Sequence, residues 1–332
     1  MAYWVCLYHV RDAYNIDYFS DIIDVGYLGV DVFFSLSGYI MTHVYQKYYT
    51  TSFDFQNYKI YIKRRFARIY PLHFFTLIGA VLFLWILNNN SRAEIKLDYN
   101  DIPFHLFLIH AWGFTKDLSF NFPSWSVSAE WFAYLFVFPF SIKIFHYKGI
   151  KFLLFLVVMF YLSYVFITYT FFYNNVGSQL ETGFIRIVPE FMLGSSIYLV
   201  YWKYKLFNKP ALFVLSYLLM GIIAFLFTKN FQFIFLLLIP FALIHLHLGS
   251  TLSNLFFGSK PIIFLGEISY SIYMVHFFSR SINGIIFNNF LEFKINSFLY
   301  LFVYTTLTIL FAILTFYFIE NPFRRLINRK SL

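Results

Sequence analysis

Arg65 and Arg68 stand three positions apart in the run Lys63-Arg64-Arg65-Phe66-Ala67-Arg68-Ile69-Tyr70-Pro71-Leu72. Residues three apart share one face of a helix, and two guanidinium groups on one face can hold phosphate groups through forked, charge-assisted hydrogen bonds. His9 is a candidate general base, because an imidazole gains and loses its proton near neutral pH. Two acids are set a few residues inside apolar blocks: Asp31, in Gly26-Tyr27-Leu28-Gly29-Val30-Asp31-Val32-Phe33-Phe34-Ser35-Leu36-Ser37-Gly38-Tyr39, and Glu130, in Pro123-Ser124-Trp125-Ser126-Val127-Ser128-Ala129-Glu130-Trp131-Phe132-Ala133-Tyr134. An ionisable group at such a depth costs several kcal/mol unless it is paired or protonated. His9 and Asp31 are expected on one side of the molecule, where the carboxylate could orient the imidazole and raise its basicity. A fourth island, Leu265-Gly266-Glu267-Ile268-Ser269-Tyr270-Ser271-Ile272-Tyr273-Met274-Val275-His276, sets Ser269, Tyr273 and His276 on one side of a helix. Each feature alone has a plainer reading. The arginines would mark a cytoplasmic loop, Asp31 would be a solvated interfacial residue, and the polar stripe would glue helices together.

These residues need a scaffold, and the composition says which kind. Of the 332 residues, 60% are hydrophobic, 25% aromatic and only 12% charged, against about 25% charged in soluble domains. The apolar residues come in blocks near the ~20 residues that cross a bilayer. Ten blocks are read: a partial one to about Val10, then Gly26 to Tyr45, Ile69 to Leu87, Trp125 to Ile144, Phe152 to Tyr173, Phe184 to Trp202, Ala211 to Thr228, Phe231 to Leu248, Pro261 to Phe287 and Phe298 to Ile319. The expected fold class is all-α, a polytopic transmembrane bundle of about ten helices. It forms a single membrane domain over residues 1–332 with no appended soluble domain. The first block is too short to span, so the first helix is expected to be truncated or to enter the bilayer partway.

The loops test this arrangement. With the N-terminus inside, most of the 25 lysines and arginines fall on one side, including Lys59, Lys63, Arg64, Arg65, Lys143, Lys148, Lys203, Arg324 and Arg325. Cytoplasmic loops carry such an excess, so both termini are expected in the cytoplasm. The net charge of +9 is then a topology signal, and nucleic acid is not an expected partner. The single Cys6 excludes an intramolecular disulfide and reads as a small buried hydrophobe. Met1 to Val10 has neither a basic leader nor a small-residue cleavage site and is not a signal peptide. Asn88 to Pro123 is the one long stretch that does not span. It is expected on the outer face, with a partly buried or re-entrant piece and a possible role in gripping substrate.

In this order, GVDVFFSLSGYI, RRFARIYPL, WSVSAEWFAY and LGEISYSIYMVH, with His9 before them and Glu320-Asn321-Pro322 after them, resemble the acyltransferase-3 family of integral membrane acyltransferases. That family includes O-acetylases of bacterial lipopolysaccharide, exopolysaccharide and Nod factors. The resemblance covers essentially the whole chain. It implies transfer of an acyl group, commonly acetyl from acetyl-CoA, to a hydroxyl of a sugar-containing acceptor outside the cytoplasmic face. His9 takes the position of the catalytic histidine, Arg65 and Arg68 match the donor-binding Arg-x-x-Arg pair, and Asp31 matches the acid of the GVD stretch. Glu130 and Tyr270 fall within further patterned stretches and are given supporting roles, as are His276 and Ser37. The family usually carries an Arg or Lys about eleven residues before the histidine, whereas this chain begins eight residues before His9.

The resulting expectation is a membrane-bound O-acyltransferase of the bacterial inner membrane that modifies a cell-envelope polysaccharide. Acyl-CoA is its co-substrate, a glycan or lipid-linked sugar its acceptor and the lipid bilayer its surroundings. No bound cofactor and no metal are expected. His9 would deprotonate the acceptor hydroxyl as it attacks the thioester, or His9 or Ser37 would carry the acyl group covalently. Two other classes compete: a proton-coupled transporter or flippase using Asp31, Glu130 and His276, and an inactive scaffold of a polysaccharide export complex.

Overall fold

A computed structural model describes residues 1–11, 23–90, 98–116, 119–146, 149–168, 170, 179–204, 257–289 and 297–329. Among these residues the regular structure is entirely helical: α1 Ala2–Val10, α2 Leu28–Val44, α3 Phe55–Asn90, α4 Ile102–Leu106, α5 Ser124–Phe145, α6 Ile150–Thr168, α7 Gln179–Tyr204, α8 Lys260–Glu267, α9 Ser269–Asn289 and α10 Phe298–Arg329. Eight of the ten expected blocks coincide with these helices. The blocks Ala211 to Thr228 and Phe231 to Leu248 lie outside the described residues.

Five of the described helices are long and apolar enough to cross a membrane, and six if α8 and α9, bent by 67° at their junction, make one span. Outward-facing Phe155, Phe166, Leu162 and Phe302 are more than half exposed, which a bilayer favours and water does not. The chain is therefore read as an integral membrane protein. The α1 helix is nine residues long and packs on α9 and α2. The α3 helix departs from its expected block by starting at Phe55, well before Ile69, because its first turns are polar and basic and escape a reading by hydrophobicity.

The α2 and α7 helices meet backbone to backbone. A Cβ on Gly38 would fall 1.9 Å from the Phe191 carbonyl oxygen, and one on Gly194 would fall 2.0 Å from that of Ser35. Only glycine lets two backbones meet this way, the usual route to tight packing where lipid removes the hydrophobic drive between helices. The same crossing lays the stripe Asp31, Ser35, Gly38 against the stripe Arg186, Glu190, Gly194, each stepping by three or four residues.

The connection from α3 to α5 folds back into the bundle, as expected for a partly buried piece. Ser128 Oγ donates to the Leu108 carbonyl oxygen at 2.8 Å and accepts from the Ala111 N–H at 3.1 Å, while Trp112 Nε1 donates to the Ser128 carbonyl oxygen. A π turn over His110–Phe114 with Gly113 at φ 86° makes the reversal possible. The α5 helix thus has two polar faces: Ser124 and Ser128 hold this loop, and Ser126, Glu130 and Tyr134 look the other way into a cavity.

Candidate active site

The cavity, about 350 Å³, is bounded by α2, α3, α5 and the α8–α9 junction. It gathers five of the eight candidate site residues, Ser37, Arg65, Arg68, Glu130 and Tyr270, together with Ser269 and Tyr273 of the polar stripe. They reach it because α2 presents Ser37 opposite the Glu130 face of α5, while α3 brings both arginines on one face. Glu130 Oε1 accepts from Ser37 Oγ and from Tyr134 OH. The π turn over Ala133–Val137 carries that tyrosine.

The two arginines differ. Arg68 Nη1 pairs with Glu320 Oε1, and the other oxygen of that carboxylate accepts from Ser271 Oγ at 2.7 Å. Glu320 sits on a third π turn, Phe316–Glu320, which turns it inward to Arg68. The Arg68 guanidinium also lies 5.6 Å from the Tyr270 ring, and Tyr270 OH donates to the Ile69 carbonyl oxygen at 2.7 Å. Arg65 forms no hydrogen bond or ion pair among the described residues. Its guanidinium lies 5.9 Å from the Tyr134 ring, and its buried Nε has no acceptor. Glu130 lines the same cavity, and its Oε1 is bonded to Ser37 and Tyr134 and not to Arg65.

His9 lies at the other end of Tyr273. That residue lines the cavity, its hydroxyl shares a 2.7 Å hydrogen bond with Ser126 Oγ and donates to the Pro123 carbonyl oxygen at 3.1 Å. Its own carbonyl oxygen meets His276 Nδ1 at 2.6 Å. A carbonyl only accepts, so Nδ1 carries the proton and Nε2 keeps a lone pair, which is buried without a partner. The His276 ring stacks on His9, centroids 5.2 Å apart and planes 21° apart, and Phe122 closes the other side of His9 at 4.8 Å.

Asp31 requires a correction. The expected contact with His9 is not present among the described residues, because Asp31 is claimed by an arginine. Asp31 Oδ1 accepts from Arg186 Nε at 2.9 Å and from Nη2, and Glu190 Oε1 accepts from the same Nε at 3.3 Å. All three side chains are buried, Asp31 and Glu190 completely. A carboxylate in a dry interior takes the nearest full charge with forked donors in preference to a neutral ring. The partner of the His9 imidazole is instead His276, which the sequence places only on a polar stripe.

Sequence reasoning also misses a histidine stack behind α5. His105 and His110 lie 3.9 Å apart and 15° from parallel, and His73 stacks on His110 at 6.1 Å and 8°. His73 Nε2 donates to the His105 carbonyl oxygen, and His110 Nε2 meets Ser124 Oγ at 3.2 Å. Parallel rings cannot share one metal ion, since each ligand ring must contain the ion in its own plane. The stack is therefore a fastening for the loop. Burial, with the neighbouring imidazoles adding to it, pushes His105 down to about 3 and His110 well below its ordinary value.

The arrangement defines a class of protein: a helical membrane bundle with a cation-bearing cavity at one level and an imidazole pair beyond it. The chain belongs to the acyltransferase domain family, whose pattern matches residues 2–317. It is 26% identical over 335 aligned residues to proteins of several Staphylococcus aureus strains, provisionally named O-acetyltransferases, covering 90% of this chain and 53% of each relative. It is also 32% identical over 120 residues to the acyltransferase MdmB of Streptomyces mycarofaciens, covering 36% of this chain and 29% of that one. The chain thus spans about half the length of the staphylococcal relatives it matches. No solved structure matches it.

Proposed function

We propose that this chain is an O-acyltransferase that takes an acyl group, acetyl by preference, from acyl-CoA on the cytoplasmic side and delivers it to a glycan hydroxyl on the outer side of a bacterial inner membrane. The observation that carries this reading is Arg65, a cation joined to no acid by a hydrogen bond or ion pair among the described residues, in a cavity of about 350 Å³ that it shares with Glu130, with the His9–His276 stack beyond the Tyr273 wall. The guanidinium suits the donor's phosphates, and the pantetheine arm would run from there toward the histidines. At that end His9 removes the acceptor's proton as its oxygen attacks the thioester carbon. The C–S bond breaks, and the proton returns to the departing CoA thiolate. His276 holds the plane of the His9 ring by stacking, with its own tautomer set by the Tyr273 carbonyl oxygen.

The positive-inside distribution of lysine and arginine supports termini in the cytoplasm, with the arginines toward that side. The family and the names of the relatives support acyl transfer to oxygen. The test is acetyl transfer to envelope glycan in membranes bearing His9→Ala. A general base contributes about 10²- to 10⁴-fold, so glycan acetylation should fall by that factor while the protein still inserts. Acetylation at the original rate would overturn the role of His9.

A further inference from the structure

A second cavity, about 570 Å³, lies between the connection after α2 and the end of α5. Phe53, Phe55 and Tyr58 line one side of it, and Ile142, Lys143 and His146 face them. The Phe55 and Tyr58 rings run nearly parallel, 19° apart with centroids 6.5 Å apart, and Phe55 is 69% exposed. Lys59 Nζ stands 4.5 Å from the Phe55 ring, so a second cation borders the aromatic side. Asp54 is the acid among the lining residues, and its Oδ1 is occupied in accepting from the Asn57 N–H at 2.8 Å.

With 36 residues, α3 is about 54 Å long at 1.5 Å per residue, while the hydrocarbon core is about 30 Å thick. Its first turns therefore project from the bilayer, on the side rich in lysine and arginine. Tyr58 and Arg65 are seven residues apart and share a face of α3, separated by about 10 Å, or two turns. The aromatic cavity therefore lies nearer the lysine- and arginine-rich side than the Arg65 cavity, along the same face of α3.

We infer that this second cavity seats the 3′-phosphoadenosine end of acyl-CoA. The purine lies against Phe55 and Tyr58, the 3′-phosphate meets Lys143 beside His146, and the diphosphate continues to Arg65. Aromatic rings stack on any base, and a lysine ammonium meets a phosphate as a point charge. This assignment rests on the acyl-CoA reading above and adds to it where the nucleotide lies.

The test is equilibrium binding of three donors to the detergent-solubilised protein: acetyl-CoA, acetyl-3′-dephospho-CoA and S-acetylpantetheine. Lys143 and Phe55 are exposed, so Lys143→Ala and Phe55→Ala leave the packing intact, which unchanged melting verifies. The natural chain should prefer acetyl-CoA over its dephospho analogue by about tenfold, the worth of one charge-assisted contact. Lys143→Ala should erase that preference without changing affinity for the dephospho analogue. Phe55→Ala should weaken both nucleotide-bearing donors severalfold and leave S-acetylpantetheine unaffected. Variants that bind acetyl-CoA as the natural chain does, or lose affinity equally for all three donors, would overturn the nucleotide site alone. A natural chain that binds none of the three would overturn the acyl-CoA reading itself.

Discussion

Arg186 and Arg65 both point into the helical bundle, and their surroundings are opposite. Arg186 is held by two acids, Asp31 and Glu190, at a crossing so tight that two glycines are needed to make it. Arg65 has hydroxyl groups, a cavity and the Glu130 carboxylate around it, and no acid is bonded to it. A buried charge with its partners supplied from within the chain holds structure, while one without them awaits a charge from outside. Arg68 stands between these extremes, satisfied by Glu320 yet partly open to the cavity.

The contrast is most strongly tested by Arg186→Met. Two carboxylates would be left together in a dry interior, at a cost of about 3–5 kcal/mol, and melting in detergent should show the loss. Adding Asp31→Asn and Glu190→Gln should recover most of it, since the uncompensated charge is then gone. Next in size is Gly38→Ala, whose new methyl group would meet the Phe191 carbonyl oxygen and force α2 from α7, costing about 1–3 kcal/mol by the same measurement. Glu320→Gln should lower stability by about 1 kcal/mol, because its Arg68 partner is partly solvated, and should leave acyl-CoA affinity within about twofold.

The smallest effect concerns the loop fastened by histidines. His105 and His110 are held below their ordinary value of ~6.5 while the loop is docked, so docking is fully supported above that pH and weakens as the pH falls below it. The protection factors of amides in residues 98–114, which remove the intrinsic slowing of exchange in acid, should fall severalfold between pH 7 and pH 5. His105→Gln should flatten that dependence. Protection that is independent of pH in the natural chain would break the assignment of the stack as a fastening.

The arginine pair, the acids in apolar blocks and the histidine at the end of the first helix are all legible from residue type and depth, because a bilayer makes each of them conspicuous. Arg65, Arg68 and Glu130, singled out this way, meet in one cavity with Ser37 and Tyr270, which the family resemblance points to. The partner of Asp31 is harder to read. Arg186 and Glu190 show the four-residue spacing of a helix pair, but a reading by apolar blocks registers Arg186 only as a charge on the minority side. Nothing local signals that Gly38 and Gly194 bring that pair to Asp31. The histidine stack joins positions 73, 105 and 110 through a reversal of the chain at Gly113, and no periodicity encodes a reversal. The start of α3 at Phe55 is hidden for a different reason: its first turns are polar and leave no hydrophobic mark.

The central claim is that Arg65 is the arginine kept for a ligand. Calorimetric titration of acetyl-CoA into purified natural protein and Arg65→Ala, with melting measured on the same samples, tests it most directly. The loss of a charge-assisted contact of about 1.5–3 kcal/mol should weaken binding about 10- to 100-fold with melting essentially unchanged. Equal affinity in the two proteins, or a loss of affinity that only follows a loss of stability, would contradict it.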